Sequence, residues 1–581
     1  MLVQMHNWRD VSVDPCQDFY KFSCGKFKED TVDETGEHVL AQLIQDFLLK
    51  NSISNFKSEN SMNLYYRKCQ DSENESLLEN IAKIGSWPML DKEWDDSNFN
   101  LNDKLSNMAS LGITDFGLFN LKVSENRLLR IEIGTSGVDR KAQEKMIYKL
   151  LQDNGFVLDY KKIRRDFKNV EKLDLKLAKL IKNPNFQAQL PFSNQKIVNF
   201  KRIISNLFNN EESWKLIENR TSISNLTTLD TILQSTSRRT LANFSFLRIF
   251  ENLKNLESRG PKGAKDCISK TIEAFPLPSF RIFVQNHYDK ENLRMLSTMV
   301  ENIKESFIEM LQGSKWLQEE TKKNAIRKFR NLKKIVGYPE EMEHPEALER
   351  FYENLEISEN DSWLTIQQKM VRFNFGLNLD YISSILPMEP TVRYIGIGAF
   401  YKPWENLLVL SVPLLNDSMF HPSYPTYARV TSIGGMIAQE IAHGFDMENR
   451  GKDGNGEVGD WWREEDSEEY EKRAQCFEEQ FGNLNKTQNL NEFLSTTIAL
   501  SSSYRTFKKV DFSNEKNIIG FEDYPQDNLF FHLSALNYCR LPESNGKFRM
   551  NEVFSIMKEF SEAFNCPVGS PMNPEKKCEL F

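Results

Sequence analysis

The segment Gln439-Glu440-Ile441-Ala442-His443 sets a carboxylate and an imidazole within one helical turn of each other. Two histidines at i and i+4 on one helix face bring both imidazoles onto a single zinc ion. A Glu beside the first of them acts as general base on the metal-bound water. This segment has the spacing, the Glu and the second His, but its first position is Gln439. Read alone, Q-E-x-x-H is a weak signal, because Glu and His at helical spacing are common on ordinary helices. The other histidines are His6, His38, His287, His344, His421 and His532, and none lies within four residues of the segment. No local imidazole therefore replaces the missing one. His421 and His532 could approach only through the fold, and each reads first as a surface or packed residue.

Such side chains need rigid elements to aim them. Thr431 to His443 reads as a buried helix with Gly444 at its end. A second helix spans roughly 488–508, with Leu490, Phe493, Leu494, Thr497 and Ile498 on one face. Ahead of both, Tyr394 to Tyr401 and Leu407 to Val412 read as two strands joined across the polar break Lys402–Asn406. Residues 40–380 read mostly as amphipathic helices; Leu293, Met295, Leu296, Met299, Val300 and Ile303 keep one such face apolar. The fold class expected is mainly α with a small β-sheet in the last third, and no internal repeat is visible.

Composition narrows the function classes. The 581 residues are 40% hydrophobic and 27% charged, ordinary globular usage that excludes wholesale disorder and fibrous classes. Forty-one Phe supply a large aromatic core. Lys+Arg number 74 against Asp+Glu 83, for a net charge of −9 with no long basic run, so a nucleic-acid partner is not expected. No stretch approaches the roughly 18 apolar residues of a membrane span. The longest block, Leu407 to Leu415, is interrupted by Ser411 and Pro413. The first residues, Met1 to Arg9, lack the apolar segment of a signal peptide. Neither leader nor membrane anchor is therefore expected in the chain as written.

Eight cysteines are dispersed without C-x-x-C spacing, three in the first 70 residues and four in the last 106. Eight allow 105 pairings, so spacing cannot give connectivity. Two readings stay open here: buried reduced thiols, or an oxidised extracellular chain whose two ends are stapled together. Asn74, Asn219, Asn225, Asn243, Asn360, Asn416 and Asn485 each begin N-x-S/T, which decides nothing alone in a chain this rich in Asn and Ser.

The surroundings of the first motif change its weight. Gly435 to Asp446 (Gly-Met-Ile-Ala-Gln-Glu-Ile-Ala-His-Gly-Phe-Asp), followed by Asp460-Trp461-Trp462, resembles the neprilysin and endothelin-converting-enzyme family of zinc metallopeptidases. Pro15 to Cys24 is similar to that family's amino-terminal ectodomain motif. Gly398-Ala399-Phe400-Tyr401 is similar to its substrate strand, and Phe560 to Cys566 with Met572 to Cys578 to its carboxyl terminus. The resemblance covers essentially the whole chain. It implies a two-lobed neprilysin-like fold enclosing a central cavity, with a thermolysin-like lobe over 1–50 and 340–581 and a helical capping lobe over 51–339. It implies the pairs Cys16–Cys566, Cys24–Cys539, Cys69–Cys267 and Cys476–Cys578, hence a disulfide-bonded, glycosylated, extracellular chain, secreted or at the cell surface.

Against the family pattern the chain departs at four places. The family's third zinc ligand falls on Glu492, which is kept, while the Asp four residues later becomes Thr496. In the family that Asp orients the first zinc His, so Gln439 and Thr496 alter one coordination unit. Arg549 matches the residue that binds substrate carbonyl, but the transition-state histidine that precedes it is missing between Cys539 and Arg549, where Glu543 stands instead. Gly398, beside Ala399, occupies the place of a substrate-binding Asn. An amide oxygen is a poorer zinc donor than imidazole. Losing the group that orients a ligand costs about 10- to 100-fold in affinity or activity, and losing an oxyanion donor roughly 10²- to 10³-fold in turnover. The expectation is a homologue with zinc weakly bound or absent and Glu440, His443 and Glu492 as residues of a degenerate site. It would bind peptide ligands in the central cavity, or serve as an interaction protein, without hydrolysing them. The alternative is an active zinc metalloendopeptidase using Gln439, His443 and Glu492 as ligands and Glu440 as base, cleaving short peptides on the amino side of hydrophobic residues.

Overall fold

The computed structural model describes residues 2–28, 36–50, 54–71, 77–91, 93–124, 126–133, 139–156, 159–181, 186–188, 197–208, 213–258, 263–287, 290–384, 398–411, 420–481 and 487–581. They form two compact units, one of Asn51–Phe275 with Leu348–Val392, the other of Met1–Lys50, Pro276–Ala347 and Arg393–Phe581.

The first unit is helical around a four-stranded sheet. Its strands are β1 (Asn120–Ser124), β2 (Leu128–Glu132), β3 (Phe186–Ala188) and β4 (Thr221–Ser224), in the order β1-β2-β4-β3. β1 and β2 pair antiparallel, β2 and β4 parallel, and β3 and β4 antiparallel. Leu121, Leu129, Ile131 and Ile223 turn into the core. This sheet is absent from the sequence reading, because strands of five residues or fewer give too few alternations to stand out from amphipathic helix. Helix Trp363–Ile382, capped by Ser362 accepting from Thr365 N–H, adds Phe375, Leu379 and Ile382 to the same core. Cys69 and Cys267 are joined.

The second unit holds the sheet β5-β7-β6, made of β5 (Lys333–Gly337), β6 (Ala399–Lys402) and β7 (Leu407–Ser411). β7 pairs parallel with β5 and antiparallel with β6, and all five of its residues are buried. Tyr394–Ile397 and Val412, expected to extend β6 and β7, lie outside the described residues. Helices Lys290–Gly313, Ile433–Ala442 and Thr487–Lys508 share one core, to which they contribute Met299, Val300, Ile303, Phe307, Ile433, Ile437, Phe493, Leu494 and Ile498. The lobe boundaries expected from sequence therefore need correction: residues 276–339 belong to this unit and 348–392 to the other. Apolar faces on helices Lys290–Gly313 and Trp363–Ile382 decide this, because each face is buried in a core the motif positions do not mark.

The expected helix 431–443 is two helices, Thr426–Thr431 and Ile433–Ala442, followed by a 3₁₀ turn at His443–Phe445. Ser432 breaks it, with φ −84° and ψ −90°, and its hydroxyl donates to Ala428 O. Asn537 Nδ2 donates to the carbonyls of Thr431 and Ser432 at the break. Disulfides Cys16–Cys566, Cys24–Cys539 and Cys476–Cys578 tie the two chain ends into this unit, and no cysteine is free. All four pairs are those the resemblance implies. Among the described residues no helix is long and apolar enough to cross a membrane.

Candidate functional site

Helices Ile433–Ala442 and Thr487–Lys508 pack side by side, and between them stand Gln439, Glu440, His443 and Glu492. Arg549 reaches the same place from a single π-helical turn, Phe548–Glu552. That turn is anchored to the start of the chain. Asn551 accepts from Tyr20 N–H and donates to Asp18, and Lys547 pairs with Asp18 at 2.7 Å.

Glu492 is the hub. Its Oε2 accepts from Gln439 Nε2 at 3.2 Å and pairs with Arg549 Nη2 at 3.0 Å. Its Oε1 lies 3.9 Å from His443 Nε2. His443 Nδ1 is bonded to Asp446 Oδ2 at 3.0 Å, and Ser495 Oγ lies 3.5 Å from Nε2. Burial disfavours the His443 imidazolium, yet the bond to Asp446 and the charges of Glu440, Glu492 and Asp446 outweigh it and raise the His443 pKa.

Glu440 keeps part of its surface, but loss of hydration pushes its carboxyl up to about 7, against the opposing pull of His443, the Tyr401 N–H and Arg549. Its Oε2 accepts from the backbone N–H of Tyr401 in β6 at 3.0 Å. Because that N–H leaves β7, alternation turns the backbone of Ala399 to the same side, along the edge of the sheet. Gly398 extends the pairing, donating to Ser411 Oγ and accepting from Ser411 N–H.

Beneath the site, Tyr401 O–H donates to Asn406 Oδ1, and Asn406 Nδ2 donates to the carbonyls of Lys328 and Gly454. Lys328 Nζ donates to Gly444 O and Asn449 O, which holds the turn that carries His443. Gly444 suits that turn because a Cβ there would come within 3.1 Å of Tyr401 Oη. Burial pushes the Lys328 ammonium down to about 7.

The chain thus brings together Gln439, Glu440, His443, Glu492 and Arg549. Thr496 is fully buried and turns its hydroxyl to Glu492 O at 2.6 Å, back along its own helix, so it holds no side chain at 439. Glu543 is exposed at the start of the short helix Glu543–Lys547. His421 bonds Ser423 in its own turn, and His532 is buried among Phe19, Phe22 and Tyr524. Sequence reasoning missed Ser495, Asn406, Lys328 and the pairing role of Asp446. Asp446 had a readable signal, a carboxylate three residues after the histidine; the others are joined to the site only by the fold.

A catalytic zinc of this type takes three protein ligands and keeps its fourth position for water. His443 and Glu492 supply two donors, while Gln439 offers an amide that spends its N–H on Glu492. The carboxylate of Glu492 already carries a guanidinium. Among the described residues no group of three or more His, Cys, Asp and Glu is arranged to hold a metal ion. This donor set does not fit a three-ligand zinc centre.

Comparison with known proteins locates the chain. The family models described as Peptidase family M13 match residues 15–339 and 398–580. Neprilysin-1 of Caenorhabditis elegans is 25% identical over 98% of this chain and 89% of its own length. Endothelin-converting enzyme 1 of Bos taurus is 24% identical over 98% of this chain and 87% of its own. Among solved structures, the Haemonchus galactose containing glycoprotein complex superposes with a TM-score of 0.70 at 18% identity, covering 100% of this chain and 98% of that one. The Mycobacterium tuberculosis zinc metalloprotease Zmp1 in complex with inhibitor gives 0.67 at 15%, covering 98% of each. The fold is the two-domain neprilysin fold, and the chain belongs to peptidase family M13, the neprilysin-type zinc metallopeptidases.

Proposed function

We propose that this chain is an extracellular M13 homologue that binds short peptides and does not hydrolyse them. The observation that carries the reading is the state of Glu492, whose Oε2 forms an ion pair with Arg549 at 3.0 Å and accepts a hydrogen bond from Gln439 at 3.2 Å. A side chain meant to ligate zinc must offer its lone pairs to the cation; here Oε2 is engaged by both partners, and the guanidinium offsets the charge a cation would meet. With Thr496 turned to its own helix and no histidine between Cys539 and Arg549, neither metal retention nor oxyanion stabilisation is supported.

Two of the groups that would hold a peptide are kept, although Gly398 replaces a substrate-binding Asn. The outer edge of β6 around Ala399 offers backbone donors and acceptors to an extended segment. Arg549 uses one Nη for Glu492 and has further N–H groups for a peptide carbonyl. Four disulfides favour an oxidising compartment. One observation favours the second reading, an active endopeptidase: Glu440 is held by Tyr401 N–H, with its carboxyl raised to about 7, a value suited to a general base.

Fluorescence anisotropy with short peptides that contain hydrophobic residues tests the proposal. Wild type binds without cleavage, and Arg549→Ala weakens binding at least tenfold. Unchanged affinity in that variant removes the peptide site, and chelator-sensitive cleavage by wild type removes the non-hydrolytic reading.

A further inference from the structure

Four N-x-S/T sequons have their asparagine among the described residues, and the fold sorts them. Asn243 lies inside helix Arg238–Ser258 and is 1% exposed, with both amide atoms enclosed by protein. Asn225 is half-buried and donates its Nδ2 to Leu180 O at 3.0 Å. Neither amide nitrogen can carry a bulky polar substituent in the folded chain.

The other two are different. Asn360 is exposed, in the turn before helix Trp363–Ile382, and no hydrogen bond among the described residues uses its side chain. The turn itself is fixed. Lys68 Nζ donates to Glu359 O at 2.6 Å, Ser358 N–H donates to Asp361 Oδ2 at 2.7 Å, and Asp361 pairs with Lys369 at 2.7 Å. The backbone is held from below while the amide faces water. Asn219 is likewise exposed, as the last residue of helix Trp214–Asn219 ahead of β4.

We infer that Asn360 and Asn219 are N-glycan attachment sites, and that Asn225 and Asn243 remain unmodified. The donor is a lipid-linked oligosaccharide pyrophosphate. A bond forms between the anomeric carbon and the asparagine Nδ2, the anomeric carbon–oxygen bond to pyrophosphate breaks, and the amide proton leaves with the lipid pyrophosphate. No oxidant or reductant is needed. This inference rests on the extracellular part of the proposed function and is independent of its zinc and peptide parts.

The test is secretion of the full chain from a eukaryotic host behind a cleavable leader, then disulfide mapping and peptide mapping after peptide N-glycosidase, which leaves Asp where a glycan stood. Asp at 360 and 219 with Asn at 225 and 243 is the expected result. The N360Q variant should lose one glycan step in electrophoretic mobility while keeping all four disulfides. Unmodified Asn360 in secreted protein with its disulfides complete, or an occupied Asn243, overturns the inference. Secreted chain with reduced cysteines would instead strike the extracellular reading.

Discussion

Lowering the pH below 6.5 should destabilise this protein through His532. The ring is 2% exposed and its Nε2 makes no hydrogen bond among the described residues. Phe22 and Tyr524 stand 5.0 and 5.3 Å from it, with Phe19 at 5.7 Å. Loss of hydration, with a smaller push from Arg9, depresses its pKa from 6.5 to about 3. Between those values the unfolded chain binds a proton that the folded chain does not, so stability falls as pH falls through this window. From pH 7 to pH 5 this one group removes about 2 kcal/mol, and by pH 3 about 4 kcal/mol. Urea unfolding at pH 7 and pH 5, in wild type and in His532→Phe and His532→Leu variants, isolates the effect from other titrating groups. Both variants should lose about 2 kcal/mol less than wild type over that interval, whatever their stability at pH 7. An unchanged pH dependence in both variants would refute the reasoning.

Three further outcomes are expected. Asn406→Ala removes the partner of Tyr401 O–H and of two buried carbonyls, and should lower unfolding free energy by about 3 kcal/mol in denaturant titration. Breaking Cys24–Cys539 with a double Ser substitution should cost about 2–5 kcal/mol, read as earlier unfolding in the same titration. Gln439→His with Thr496→Asp should raise zinc affinity at least tenfold over wild type in a chelator-competition titration. Recovered binding without recovered turnover would locate the remaining defect in the stretch from Cys539 to Arg549.

How much could be read beforehand follows from how local each feature is. Gln439 and Glu440 lie in the last turn of one short helix and His443 opens the 3₁₀ turn that follows it, so their spacing alone placed them close together. Glu492 and Arg549 came from the resemblance to neprilysin-type chains, which also gave the four cysteine pairs that spacing left open among 105. What stayed hidden is long-range. The Tyr401 N–H on Glu440 joins positions 39 apart, and Ser495 meets His443 across 52. Neither has a local pattern. The break at Ser432 depends on Asn537, more than a hundred residues away, taking the carbonyls of Thr431 and Ser432. The β1–β4 sheet went unread because its strands are too short for period-two alternation to compete with the helical signal around them. The unit boundaries at 276 and 348 follow from apolar faces whose destination only packing decides.

The most direct measurement is elemental analysis of the protein purified without chelators, paired with a peptide hydrolysis assay. Glu492 engaged by Arg549 and Gln439 predicts far less than one zinc per chain and no cleavage. One tightly held zinc per chain, with cleavage abolished by a chelator and restored by zinc, would contradict the account.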